Sequence, residues 1–268
     1  MNINSGNMCG FVMEYYDNDM IGSISIKTNN EWEPEITNFV KRMNQKFGIR
    51  NIIDVGANFG YHTLLFSKEV SEHVYSFEPQ LQNFQLLQRN VNNNNISNVQ
   101  LFNLACGDTN CDVQMPLITD WSVAENMGDF TPNVIKDSYS TTKSIVLDDM
   151  NFKNIDLIKI DVQGWEKKVL IGTQNILKEY KPVLIVKFEW FQLEKTNTTC
   201  EELYEFIRKQ NYYIFQLETK YPADQICIHN DRLADFREKF KEYIFPNAFN
   251  SYLNNNLYNG VNEKIAFL

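Results

Sequence analysis

Two carboxylates stand where proton-transfer chemistry is commonly placed. Asp161 follows the apolar run Asp156–Ile160, and Glu189 follows Pro182–Phe188. If both runs are neighbouring strands of one sheet, both acids face a single crevice at the strands' carboxyl ends. One carboxylate there can act as general base on a hydroxyl, or the pair can hold Mg²⁺ and lower the hydroxyl's pKa. The metal-free version is favoured. The bland alternative is that Asp161 only caps the next helix and Glu189 is a solvated strand-end charge.

A second cluster lies upstream. The stretch Ile52–Gly60 reads I-I-D-V-G-A-N-F-G, an apolar run that ends in Asp54 and enters a turn with Gly56 and Gly60. Eighteen residues past Gly60, the run His73–Phe77 ends in Glu78. An acid at that position commonly holds a ribose diol. The pattern is D-x-G-x-x-x-G rather than G-x-G-x-x-G, which favours S-adenosylmethionine over NAD. A pyrophosphate would need free turn amides, whereas adenosylmethionine carries no phosphate and tolerates an acidic turn. Asp54 would then hold the methionine ammonium, directly or through water, while the glycines admit the backbone to the cofactor. A glycine turn by itself is weak support, since glycine is the general solution for positive φ; the spacing to Glu78 strengthens it.

Other side chains are weaker candidates. Lys159 and Asp161 share a strand face, as do Lys187 and Glu189. A buried lysine needs a partner, so structural pairing outranks a lysine base. His62 opens a helix after the glycine turn and is a candidate substrate contact, as is Gln163. Trp121, Trp165 and Trp190 could wall a sugar ring, although core packing explains any one of them. Glu33, in N-E-W-E-P-E, could belong to a lid over the cofactor.

These residues require a strand–helix alternation to position them. Helical spacing runs from Glu31 to about Phe47. Strands are expected at Ile52–Val55, His73–Phe77, Val99–Ala105, Asp156–Ile160, Pro182–Phe188, Tyr212–Leu217 and Gln225–His229. Helices are expected at Tyr61–Val70, from Pro79 to about Asn92, from Trp165, at Cys200–Lys209 and from about Leu233 to Tyr243, with a short turn of helix at Leu147–Met150. Residues 1–30 read as an irregular or β-rich lead-in, and 107–143 as a long irregular insert of the kind that shapes a pocket. The fold class is α/β: a Rossmann-like, doubly wound, mostly parallel sheet of seven strands with helices on both faces. Three parts follow: a lead-in and helix over 1–50, a cofactor-binding domain over 51–230, and a C-terminal helix and tail over 231–268.

Composition sets outer bounds. The chain of 268 residues has 43% hydrophobic residues and a formal net charge of -9. It can bury a sizeable core, and its acidity argues against a nucleic-acid partner. No apolar run is long enough for a membrane span, and the first ten residues lack a secretory pattern. Five scattered cysteines (Cys9, Cys106, Cys111, Cys200, Cys227) read as free thiols of a reducing, cytoplasmic compartment. The asparagine runs read as the coding bias of an AT-rich genome.

Three blocks together resemble the FkbM-type branch of the class I S-adenosylmethionine-dependent methyltransferases: Ile52–Thr63, Val74–Val91 and Leu147–Gly172. The resemblance covers roughly 35 to 190 well and the last 75 residues poorly. It implies a cofactor loop of Asp54, Gly56, Asn58 and Gly60, a ribose acid in Glu78, and an adenine frame at Leu104, Ala105 and Cys106. It implies O-methyl transfer to a sugar, a glycan or another small hydroxylated acceptor, and leaves a homodimer open. An RNA or protein methyltransferase, or a non-catalytic binding protein that keeps the fold, are the alternatives. The family's usual I-D-V-E-G reads I-D-V-Q-G here, so Gln163 replaces a glutamate, and a neutral amide cannot serve as a base.

Overall fold

The computed structural model describes residues 3–17, 19, 25–29, 31–117, 129–133, 138–217, 223–246 and 263–265. A hairpin, β1 (Ile3–Met8) and β2 (Phe11–Tyr16), precedes helix α1 (Pro34–Phe47). Then come β3 (Asn51–Val55), α2 (Tyr61–Ser67), β4 (His73–Phe77), α3 (Leu81–Asn93) and β5 (Val99–Phe102). Three strands of a small separate sheet follow: β6 (Ala105–Cys106), β7 (Cys111–Pro116) and β8 (Tyr139–Ile145). The main sheet resumes with β9 (Ile155–Ile160), α4 (Glu166–Ile171), α5 (Gln174–Tyr180), β10 (Val183–Phe188), α6 (Trp190–Glu194), α7 (Cys200–Lys209), β11 (Tyr212–Leu217), β12 (Ala223–His229) and α8 (Asn230–Phe240). Strands β13 (Ile244–Pro246) and β14 (Glu263–Ile265) close the described chain.

The seven expected strands form the body of one mostly parallel sheet, in the order β11-β12-β10-β9-β3-β4-β5. Only β12 runs against its neighbours within that set. β14 and β13 extend the β11 edge, giving nine strands in all. β3 and β10 are buried at every position, as parallel strands covered on both faces must be. The side chains of β9 and β10 alternate between two cores. Ile158, Leu184 and Val186 pack with Leu170, Leu203 and Ile207. Leu157, Val183 and Ile185 pack with Phe39, Phe236 and Phe240 of α1 and α8.

Two expectations change. The third strand ends at Phe102, and Ala105–Cys106 pair with β8 in the small sheet. The 107–143 insert is not irregular throughout, because β7 and β8 pair antiparallel in it. The reason is visible in β7, where Val113 and Met115 point inward while Asp112 is exposed, a period-2 pattern that polar neighbours obscure.

Candidate active site

A cavity of about 320 Å³ opens at the carboxyl ends of β3, β4, β9 and β10. Backbone bonds knit these strand ends together. The amides of Gly56 and Ala57 both donate to the Phe77 carbonyl at 3.0 Å, and that of Asp161 donates to Val55 at 3.0 Å. Gly56 sits at φ +84°, and a Cβ there would come within 1.8 Å of the Asp161 carbonyl oxygen. Only glycine fits.

Glu78 is held by the backbone. Its Oε2 accepts from the Asn58 amide at 2.8 Å and its Oε1 from the Gln80 amide at 2.9 Å. Burial pushes its pKa up to about 7 against those two bonds. Each oxygen keeps a lone pair for a further donor. Asn58, in the left-handed region at φ 52°, also lines the cavity, and its Oδ1 is buried without a hydrogen-bond partner. Leu104, Ala105 and Cys106 line the same cavity. Asn103 anchors them by donating to the Glu78 carbonyl at 2.8 Å.

Four more acids and two lysines meet beyond the glycine turn. Lys159 and Asp54 are cross-strand partners on β9 and β3, with Nζ to Oδ1 at 3.8 Å. Lys187 and Asp224 are partners on β10 and β12, at 3.1 Å. Asp161 Oδ2 lies 3.8 Å from both ammonium groups, and Lys187 also reaches Glu33 Oε1 at 2.5 Å. Burial opposes the Lys187 charge, but Asp224, Glu33 and Asp161 more than offset it and hold the pKa well above its usual value. Burial, and then these lysines, keep the His62 imidazole neutral. Asp224 is raised to about 7, by burial first.

Asp161 and Glu189 both line this cavity. Asp161 Oδ1 accepts from Gln163 Nε2 at 3.1 Å. Glu189 has its pKa pushed up to about 7, by burial and then by the charge of Asp161. The connecting turn is braced by Glu166, whose Oε1 accepts from the amides of Val162 (3.1 Å) and Gly164 (3.3 Å). Its brace keeps Gln163 at φ 56°.

Several of the expected site residues stand away from the cavity wall or take other partners. Asp54 is fully buried and does not line the cavity; Thr63 Oγ1 donates to its Oδ2 at 2.7 Å. Gly60 does not line it either. It opens α2 at φ 99°, with Leu87 close behind. Trp190 is replaced on the wall by its neighbour Phe191, and Trp165 lines the cavity as well. Lys187 pairs with Glu33, Asp161 and Asp224 rather than with Glu189. Trp121 lies outside the described residues. Among the described residues no group of three or more His, Cys, Asp or Glu is arranged to hold a metal ion. The oxygens of Asp161 face an amide donor and two ammonium groups, surroundings that repel a cation.

The sequence reading passed over Trp32, Asp129, Phe130, Gln192 and Asp224. Gln192 donates to Asp129 Oδ1 at 2.5 Å and accepts from Lys195 at 2.6 Å at the cavity mouth. Asp224 alone left a trace, an acid two residues before a buried I-C-I run.

Comparison with known proteins shows the family of the chain. The family model described as the Methyltransferase FkbM domain matches residues 54–214, more than half of the chain. The chain belongs to the FkbM methyltransferase family, within the class I S-adenosylmethionine-dependent methyltransferases. A solved FkbM methyltransferase from Methylobacillus flagellatus KT is 18% identical, with a TM-score of 0.48, over 74% of this chain and 50% of that one. The chain therefore spans about half the length of that relative. A Staphylococcus aureus protein, provisionally named a caffeoyl-CoA O-methyltransferase, is 12% identical over 78% of this chain and 90% of its own, with a TM-score of 0.50. An O-methyltransferase from Bacillus cereus, solved with S-adenosylhomocysteine, is 14% identical over 78% and 89%, with a TM-score of 0.46. At these identities the likeness speaks for the fold alone. No curated protein matches in sequence. No helix among the described residues is long and apolar enough to cross a membrane.

Proposed function

We propose that the chain is an S-adenosylmethionine-dependent O-methyltransferase for a hydroxyl of a sugar, a glycan or another small hydroxylated acceptor. The observation that carries this reading is Glu189, half-buried in the same cavity wall as Asp161 and poised near pH 7. When bound, adenosylmethionine supplies an electrophilic methyl group on its sulfonium. The residues present fit it. Glu78 offers one free lone pair on each oxygen to a ribose diol, the buried Asn58 Oδ1 awaits a donor, and Gly56 leaves room where a Cβ would stand. Leu104, Ala105 and Cys106 give an apolar bed for adenine.

Glu189 takes the proton from the acceptor hydroxyl. Asp161, held by Gln163 and two lysines, stays oriented and lends its charge to that step. Phe191 and Gln163 contact the acceptor near the mouth. Gln163 donates or accepts a hydrogen bond and moves no proton.

The test is transfer of labelled methyl from adenosylmethionine to a panel of mono- and oligosaccharides. Label in an alkali-stable ether supports the reading. Label on an amine, on RNA or on protein overturns it, and S-adenosylhomocysteine binding with no transfer across the panel points to a binding protein.

A further inference from the structure

The cofactor expected here carries an α-ammonium group, and the carboxylate that the sequence pattern sets against it is elsewhere. Asp54 is fully buried, bonded to Thr63 and turned towards Lys159, and it does not line the cavity. Glu33 does line it.

Three observations point to Glu33, although Asp54 Oδ1 is also buried without a hydrogen-bond partner. Its Oε1 holds Lys187 at 2.5 Å, while its Oε2 is buried with no hydrogen-bond partner. The group facing Oε2 is His62 Nε2, at 3.7 Å, beyond hydrogen-bond reach. A buried carboxylate oxygen without a donor is costly, and a site that keeps one has a use for it. Second, Glu33 stands at the N-cap of α1 but its side chain does not cap the helix. It forgoes the usual stabilising role of an acid there. Its backbone sits at φ 45°, ψ 57°, a left-handed conformation that is strained for glutamate. Third, Lys187 divides its ammonium among Glu33, Asp161 and Asp224, all within 3.8 Å, so it does not serve Glu33 alone.

We propose that Glu33 holds the α-ammonium group of S-adenosylmethionine, the role that the sequence pattern gives to Asp54. This rests on the adenosylmethionine reading above. Lys187 presets the carboxylate by holding one oxygen and leaves Oε2 without a hydrogen-bond partner, next to His62. Trp32, whose amide donates to Tyr61 Oη at 2.9 Å, fixes the approach of the segment.

Titration calorimetry on the whole chain with two ligands tests it. S-adenosylhomocysteine carries the ammonium; 5′-methylthioadenosine keeps the adenosine thioether and lacks the amino-acid end. Glu33→Gln is expected to weaken S-adenosylhomocysteine by about 10- to 100-fold, the effect of one charged hydrogen bond. The same variant should keep 5′-methylthioadenosine within about twofold, which also shows that it folds. Equal loss of both ligands, or loss of neither, overturns the assignment to Glu33. If Glu78→Ala loses both ligands while Glu33→Gln spares both, the cofactor reading stands and only this inference falls. If the unaltered chain binds neither ligand, the cofactor reading fails and takes the inference with it.

Discussion

Glu78 and Glu33 bring carboxylates to one cavity by opposite means. Glu78 follows a parallel strand and is held by two backbone amides, from Asn58 and Gln80. Glu33 precedes a helix in strained backbone and is held by a side chain 154 residues away, that of Lys187. The Glu78 half of the cavity is therefore a product of local chain geometry. The Glu33 half is a product of buried charge. Side chains can be exchanged one at a time, whereas backbone amides cannot, so the two halves should respond differently to mutation.

The largest expected effect separates the halves directly. Lys187→Met strips the ammonium from buried Glu33 and Asp224, and breaking such a cluster from one side costs about 3–5 kcal/mol. Urea unfolding should record that loss, while 5′-methylthioadenosine still binds the folded variant. Loss of its binding would show that the two halves are one unit.

Glu189→Gln is expected to lower kcat by at least about 10²-fold, with S-adenosylhomocysteine affinity unchanged. With the folded pKa of Glu189 near 7, the activity of the unaltered chain should climb as pH rises through 7 and then level off. An unchanged kcat in the variant would remove Glu189 from the base role.

Glu166 braces the turn that follows Asp161. Its folded pKa is raised from 4.5 to about 7, by burial first. The folded state therefore favours the protonated acid. Stability from this group is complete below pH 4.5 and is lost as pH rises to about 7, at most about 3 kcal/mol. Glu166→Gln should flatten that part of the stability–pH curve. An unflattened curve would mean that this carboxyl is ionised in the fold.

The smallest effect serves as a reference. Arg50 pairs with Asp156 at 3.2 Å, with the arginine side chain 50% exposed. Arg50→Ala should cost no more than about 1 kcal/mol and leave both ligands bound. A larger loss would undercut the claim that charge matters here because it is buried.

The sheet was legible because its signals are local. I-I-D-V-G and V-L-I-V carry their burial in consecutive residues, and the spacing from Gly60 to Glu78 follows from one crossover. Glu78, Gly56 and Asn58 reach the cavity for that reason. The direction of Asp54 was not legible, because a sequence does not say which side of the sheet end a carboxylate takes; Thr63 and Lys159 draw it inward. Trp190 and Phe191 differ by about a third of a helical turn, and only packing decides which faces the cavity. The partners of Lys187 come from positions 33, 161 and 224, so no window could join them.

One strand runs backwards, and that has a consequence for how the site can vary. Because β12 is antiparallel to β10, its first residues lie where its neighbours finish, which is how Asp224 comes to face Lys187. β12 therefore opens beside Lys187 and the acids gathered around it. Changes in its first residues would alter the charge around Lys187 without disturbing the glycine turn or Glu78. A lineage could retune that cluster, Glu33 included, while Glu78 keeps its two backbone bonds.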